Sequence, residues 1–253
     1  MKNNIKLPLF SILIYFLCTS SYAQDLVSEF GIFTGATSMQ TDYGERGHFG
    51  SSYANVGFGI GGTYYLSFNN YKIMWSERTT HLKDHVRLRI ELSYMKTNLI
   101  HRGQYTQGNS NFTALYNGMK GTSSIFNYGA QFEYTIFNMS DSRSLNPYVS
   151  IGFLGNLNTP KLESNLGDIE VSPNLIPSVY NGGVFLNKNN TTALILGIGT
   201  RINPKNKNAI YLVDFRWQRF NSDIVEGLTP RINANKFNDW LLFISIGYIF
   251  KIN

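Results

Sequence analysis

Between Val86 and Met95 apolar and polar side chains alternate. Val86, Leu88, Ile90, Leu92 and Tyr94 fall on one side, and Arg87, Arg89, Glu91, Ser93 and Met95 on the other. The stretch Phe126 to Ile136 repeats the pattern, with Phe126, Tyr128, Ala130, Phe132, Tyr134 and Ile136 opposing Asn127, Gly129, Gln131, Glu133 and Thr135. Tyr211, Val213, Phe215 and Trp217 likewise oppose Leu212, Asp214, Arg216 and Gln218. Successive side chains of a strand point to opposite faces, so this period of two predicts strands with one apolar and one mostly polar side. Weaker alternation predicts five more strands at about 29–38, 53–68, 147–158, 191–203 and 240–252. The total is even, and most of the segments are long enough to cross a bilayer at a tilt.

The connections also alternate. Those near 39–52, 102–122, 159–190 and 221–239 are long and polar, and those near 139–146 and 204–208 are short. The stretch at about 69–84 is longer than its class, and a small helix or extra turn is expected there. Short turns on one side and long loops on the other are the layout of an outer-membrane barrel with both termini in the periplasm. The expected fold is all-β, an eight-stranded antiparallel transmembrane β-barrel of the outer-membrane type. A soluble β-sandwich is the alternative. Against it stand the aromatics near the ends of the apolar faces (Phe68, Tyr94, Tyr128, Tyr134, Trp217, Trp240, Tyr248), placed as interfacial girdles would be.

Composition points the same way. Of 253 residues, 15% are charged and 15% aromatic; a soluble domain carries about a quarter charged residues. Lys2 and Lys6, the apolar run Leu7–Leu17 and Ser21-Tyr22-Ala23 read as a secretory signal cleaved before Gln24, leaving 24–253 as a single barrel domain. Lipidation at Cys18 is disfavoured by Leu17, where a small residue is required. Cleavage after Ala23 removes the only cysteine, which excludes disulfides and thiol-based metal or redox sites from the mature chain. No lysine/arginine run points to nucleic acid.

An eight-stranded barrel has room inside only for side chains. The expected inward charges are Glu29, Arg87, Arg89, Glu91, Glu133, Arg201, Asp214 and Arg216, four acids against four arginines, which suggests a neutralised network bracing the lumen. Gly57, Gly59 and Gly61 share a face but lack the helix and third glycine of a dinucleotide loop, and are expected to make room for bulky neighbours such as arginine. His48 and His101 fall near the external rim, and His81 and His85 near a periplasmic turn. None has a nucleophile elbow, and Leu82 stands where an HExxH zinc site needs glutamate, so no catalytic, cofactor or metal site is expected.

Several segments near the two ends of the mature chain are more distinctive. They are Ser28-Glu29-Phe30-Gly31-Ile32-Phe33-Thr34-Gly35, Asp42-Tyr43-Gly44-Glu45-Arg46, Asn55-Val56-Gly57-Phe58-Gly59-Ile60-Gly61, Glu226-Gly227-Leu228 and Asn238-Asp239-Trp240. With the Ala23-Gln24 junction, this layout resembles the small PorG-like outer-membrane barrels of Bacteroidota. The end Lys251-Ile252-Asn253 departs from the usual terminal aromatic. The resemblance implies a non-enzymatic component associated with type IX secretion and, in gliding species, with motility. It implies contact with a periplasmic ring of lipoprotein and partner subunits, besides the membrane lipids. The long connection bearing Lys72, Trp75, Arg78 and Lys83 is the expected contact, the other reading being simply a longer turn. A narrow pore and a barrel that binds through its surface loops are the alternative functions.

Overall fold

A computed structural model of the chain describes residues 27–44, 49–52, 55–67, 80–139, 143–204, 209–230 and 237–252. These form eight strands: β1 (Val27–Gln40), β2 (Val56–Ser67), β3 (Val86–Ile100), β4 (Met119–Thr135), β5 (Leu145–Ser164), β6 (Asn189–Ile202), β7 (Ala209–Phe220) and β8 (Trp240–Ile252). Each pairs antiparallel with the next, and β8 closes on β1, with Phe33 opposite Gly247 and Ser28 opposite Ile252. The short helices are α1 (Phe49–Ser52), α2 (Thr80–His85) and α3 (Asn111–Gly118). The small helix expected in the long connection is α2. The rest of that connection, residues 68–79, lies outside the described residues, as do the expected signal segment 1–23 and His48.

The alternation is realised inside out relative to a soluble sandwich. Ile90, Leu92, Phe126, Phe132, Ile151, Phe153, Ile198, Ile244 and Ile246 are exposed, whereas Arg89, Glu91, Asn127, Gln131 and Glu133 are fully buried. An apolar exterior of this extent is favourable only against lipid, since contiguous apolar patches on soluble monomers stay within a few hundred Å². From Phe126 on β4 to Ile136 just past its end the outward face is apolar, about 33 Å of chain and roughly 25 Å once tilted, the height of a membrane belt.

Two strands run further than the apolar pattern. β4 begins at Met119 and β5 ends at Ser164. Above Phe126 and Leu157 the outward positions turn polar (Ser124, Thr122, Lys120; Thr159, Lys161, Glu163), while Met119 and Leu162 turn inward and are buried. The wall here stands above the belt in water, so its polarity is the reverse of the span's.

Gly57, Gly59 and Gly61 do face inward, but the bulky neighbours at Gly59 and Gly61 are aromatic rather than arginine. A Cβ on Gly59 would lie 2.7 Å from Phe243 Cε2, and one on Gly61 would overlap the tip of the Phe33 ring. At Gly57 the obstacle is the Lys96 carbonyl of the neighbouring strand. Phe33 and Phe243 pack edge to face at 5.9 Å, and the Arg216 guanidinium lies against both rings.

Candidate functional site

All eight expected lumen charges point inward and are buried, from 0 to 7% exposed. Arg89 reaches three acids: Glu91 Oε2 at 3.1 Å from Nη2, and Glu133 Oε1 and Asp214 Oδ2, each 3.3 Å from Nη1. Arg201 donates to Glu29 Oε2 at 2.7 Å and Glu133 Oε2 at 3.0 Å. Arg216 holds Glu91 through Nη1 at 2.6 and 2.7 Å and Asp214 through Nε at 2.8 Å. Each of these three arginines also lies over a ring, Arg201 on Tyr65 at 4.3 Å and Arg216 between Phe33 and Phe243 at 4.8 Å each. Cation–π contact supplies favourable surroundings where water is excluded. Arg87 departs from the expected pairing. It makes no ion pair within 4 Å among the described residues, because its register partner Glu133 turns both oxygens to Arg89 and Arg201.

Above the charges comes a layer of side-chain amides. Asn156 Nδ2 donates to Asn127 Oδ1 at 2.6 Å, Gln218 Nε2 to the same oxygen at 3.2 Å, and Gln131 Nε2 to Glu91 Oε2 at 3.1 Å. Above that, Met95, Ile125, Leu241 and Phe243 begin an apolar cluster continuous with residues of the long loops, including Tyr43, Ile176, Tyr180, Val225 and Leu228. The loops therefore fold inward and cap the lumen.

Residues far apart in sequence meet in this cap. The Asp42 N–H donates to Glu226 Oε1 at 2.9 Å, and Tyr180 Oη donates to the Asp42 carbonyl at 3.0 Å. Asn55 ties the first loop to β3, donating to the Tyr43 carbonyl and accepting from the Ile100 N–H, both at 2.9 Å. Gly227 turns the last loop with φ +86°, a conformation L side chains rarely adopt. The phenol of Tyr43 drops into the space left by Gly121, where a Cβ would overlap its oxygen. Asp42, Tyr43, Asn55, Glu226, Leu228 and Asp239 all belong to the distinctive segments, yet nothing in the pattern assigned them a common place. Their signal was polar residues inside loops that otherwise lack hydrophobic periodicity.

His101 lies within this cap, stacked on Tyr43 at 4.6 Å and edge-on to Tyr116 at 4.9 Å. Its Nδ1 accepts from the Gly44 N–H at 3.3 Å, and its Nε2 has no hydrogen-bond partner among the described residues. Burial pulls its pKa from 6.5 down to about 3. The neutral ring is therefore the form the cap holds, and its contribution is complete above pH 6.5 and lost as pH falls toward 3. Glu226 has the opposite sign. Burial, and next Asp239, push its carboxyl well above the usual range, so its contribution is lost as pH rises through that raised value. We expect the loop amides to lose protection, measured as exchange relative to the intrinsic rate at each pH, as pH falls from about 6.5 toward about 3, and His101→Phe to abolish that acid response; an unchanged response in the variant would contradict the assignment.

At the opposite end, α2 carries His81 and His85, whose rings are 4.3 Å apart. His81 Nε2 meets Tyr134 Oη at 3.0 Å, and His85 Nδ1 meets the Thr135 carbonyl at 2.6 Å. Lys83 lies on the same helix, half-buried, while Lys72, Trp75 and Arg78 fall outside the described residues. Among the described residues no group of three or more His, Cys, Asp or Glu is placed to hold a metal ion.

No family model matches the chain, and no curated protein sequence matches it. Solved structures with a similar barrel include the N-terminal β-barrel domain of Pseudomonas aeruginosa OprF, at 14% identity and a TM-score of 0.35, covering 87% of this chain and 97% of that one. The outer membrane protein OprG of the same organism is 12% identical with a TM-score of 0.37, covering 90% and 95%. A major outer membrane protein of Thermus thermophilus is 10% identical with a TM-score of 0.46, covering 89% and 99%. The barrel is similar to these in architecture.

Proposed function

We propose that this chain is a non-enzymatic outer-membrane barrel with a structural task, anchoring or capping a larger assembly. The observation that carries this reading is the double closure of the lumen, by paired charges and amides across its middle and by the apolar loop cap above. Conduction needs sites weak enough to release an ion, and a lumen of buried ion pairs shared between several arginines and acids offers none. In this reading the eight lumen charges brace the wall, and outer-membrane lipids cover the belt. The resemblance of the distinctive segments to PorG-like barrels supports a place in a type IX secretion or gliding-motility assembly. Periplasmic ring lipoprotein or its partner subunits would then be the contact, through Lys72, Trp75, Arg78 and Lys83. Crosslinking the tagged protein in intact cells is expected to recover a periplasmic subunit, and repeated recovery of the barrel alone would refute the anchoring role. The purified barrel is expected to give no conductance steps in planar bilayers; steady single-channel steps would favour the narrow pore instead.

A second reading, binding through the surface loops, has one observation in its favour. Tyr105 and Phe112 stack around Tyr116 on the loop bearing α3 and stay 48% and 44% exposed.

A further inference from the structure

At the end of the lumen away from the cap, the ion-pair network leaves one cation over among the described residues. Arg87 is 7% exposed, and its Nε and Nη1 have no hydrogen-bond partner among them. The nearby acids are engaged elsewhere, Glu133 by Arg89 and Arg201, and Glu29 Oε2 by Arg201. Arg87 feels Glu29 and Glu133 only through space, and it feels Arg201 as a like charge. Lys251, the register partner of Glu29 on β8, adds a further cation beside them.

The polar groups around Arg87 are in the same condition. Ser67 is its register partner on β2, buried and inward, and its hydroxyl has no partner among the described residues. Asn146, the register partner of Arg201, is also buried, and its Oδ1 has no partner among the described residues either. A guanidinium taken out of water without an acceptor is strongly unfavourable. The group that best relieves this cost is an oxyanion, whose two oxygens match the planar fork of arginine.

We propose that Arg87 and Ser67 are the core of a binding site for one oxyanion group, a carboxylate or a phosphate, at the short-turn mouth of the lumen. Arg87, Arg201 and Lys251 outnumber Glu29 and Glu133 at that mouth and give the anion its attraction, and the Ser67 hydroxyl gives it a second donor. The inference stands on the lumen geometry and is independent of the anchoring role.

The test uses the purified full-length barrel in non-ionic detergent. Sodium phosphate and sodium acetate are each titrated against sodium chloride at matched ionic strength, and the read-out is the temperature at which the folded barrel loses its anomalous gel migration. A saturable rise with phosphate, acetate or both, absent with chloride, is the expected result; a response to only one of them identifies the shape of the oxyanion. Arg87→Met is expected to abolish the rise. Arg87→Lys and Ser67→Ala are each expected to weaken apparent affinity roughly tenfold, as loss of a hydrogen bond to a charged group does. A rise reproduced by chloride, a rise with neither oxyanion, or an undiminished rise in Arg87→Met would overturn the site. If Arg87→Met does not fold, unchanged affinity in both Arg87→Lys and Ser67→Ala overturns it equally.

Discussion

Replacing Arg89 by methionine is expected to destabilise the barrel by about 3–5 kcal/mol, the usual result of removing one partner from a buried charge network. Arg89 is fully buried and faces Glu91, Glu133 and Asp214 at 3.1–3.3 Å, so its loss leaves like charges together with less compensation. Arg201 and Arg216 retain Glu133 and Glu91, which keeps the cost from growing with the number of acids involved. The guanidinium also lies over the Phe33 and Tyr65 rings at 5.5 and 5.8 Å, contacts that methionine keeps in part through its own soft side chain. The measurement is the urea midpoint of unfolding in detergent micelles, followed by tryptophan fluorescence and by gel migration. Adding Glu133→Gln to the variant is expected to restore part of the loss, because an amide needs no counter-charge. A loss below about 1 kcal/mol would mean that water replaces the guanidinium freely, and the lumen would then not be sealed.

The second large effect is expected at the closing seam. Gly35 of β1 lies opposite Ser245 of β8, and a Cβ there would overlap the Ile244 carbonyl oxygen and come within 2.6 Å of Ser245 Cα. These are backbone atoms, so no rotamer change relieves the collision; the strands must part. Gly35→Val is therefore expected to prevent closure of the barrel, a loss greater than about 4 kcal/mol, and to leave no heat-modifiable form on a gel. Ala36→Val is the control, since Ala36 is exposed on the outer face and its added methyls meet lipid. Normal closure of Gly35→Val would show that β1 and β8 pair more loosely than their register implies.

The strands were legible because a side chain's direction in a strand depends only on its parity, and lipid outside with charges inside makes the two parities chemically different. Val86–Met95 shows this most plainly: its even residues meet lipid and its odd residues up to Ser93 reach the polar lumen. The pattern lost its contrast at Met119–Ile125 and Thr159–Ser164, where the strands leave the membrane. There the outer face is wetted and the inner face meets the cap, so apolar and polar sides exchange places, and a rule fitted to the span reads loop.

Charge balance among Glu29, Arg87, Arg89, Glu91, Glu133, Arg201, Asp214 and Arg216 was likewise a matter of counting residues of one parity. Which arginine holds which acid was not, because that depends on how far each side chain reaches across a lumen bounded by eight strands. Distance across the barrel bears no relation to distance along the chain, so Arg89 meets Asp214 and Arg201 meets Glu29, while Arg87 is left without an ion-pair partner among the described residues. The cap is the extreme case: Asp42 and Glu226 are 184 residues apart, and only folding of the loops over a closed barrel brings them to one hydrogen bond. The sequence by itself determined a closed barrel with an apolar exterior and a balanced polar interior, because parity is a local property. Only the tertiary structure decided the pairings, the cap and the place of Arg87 outside the ion-pair network of the described residues, because closure of the sheet sets those distances.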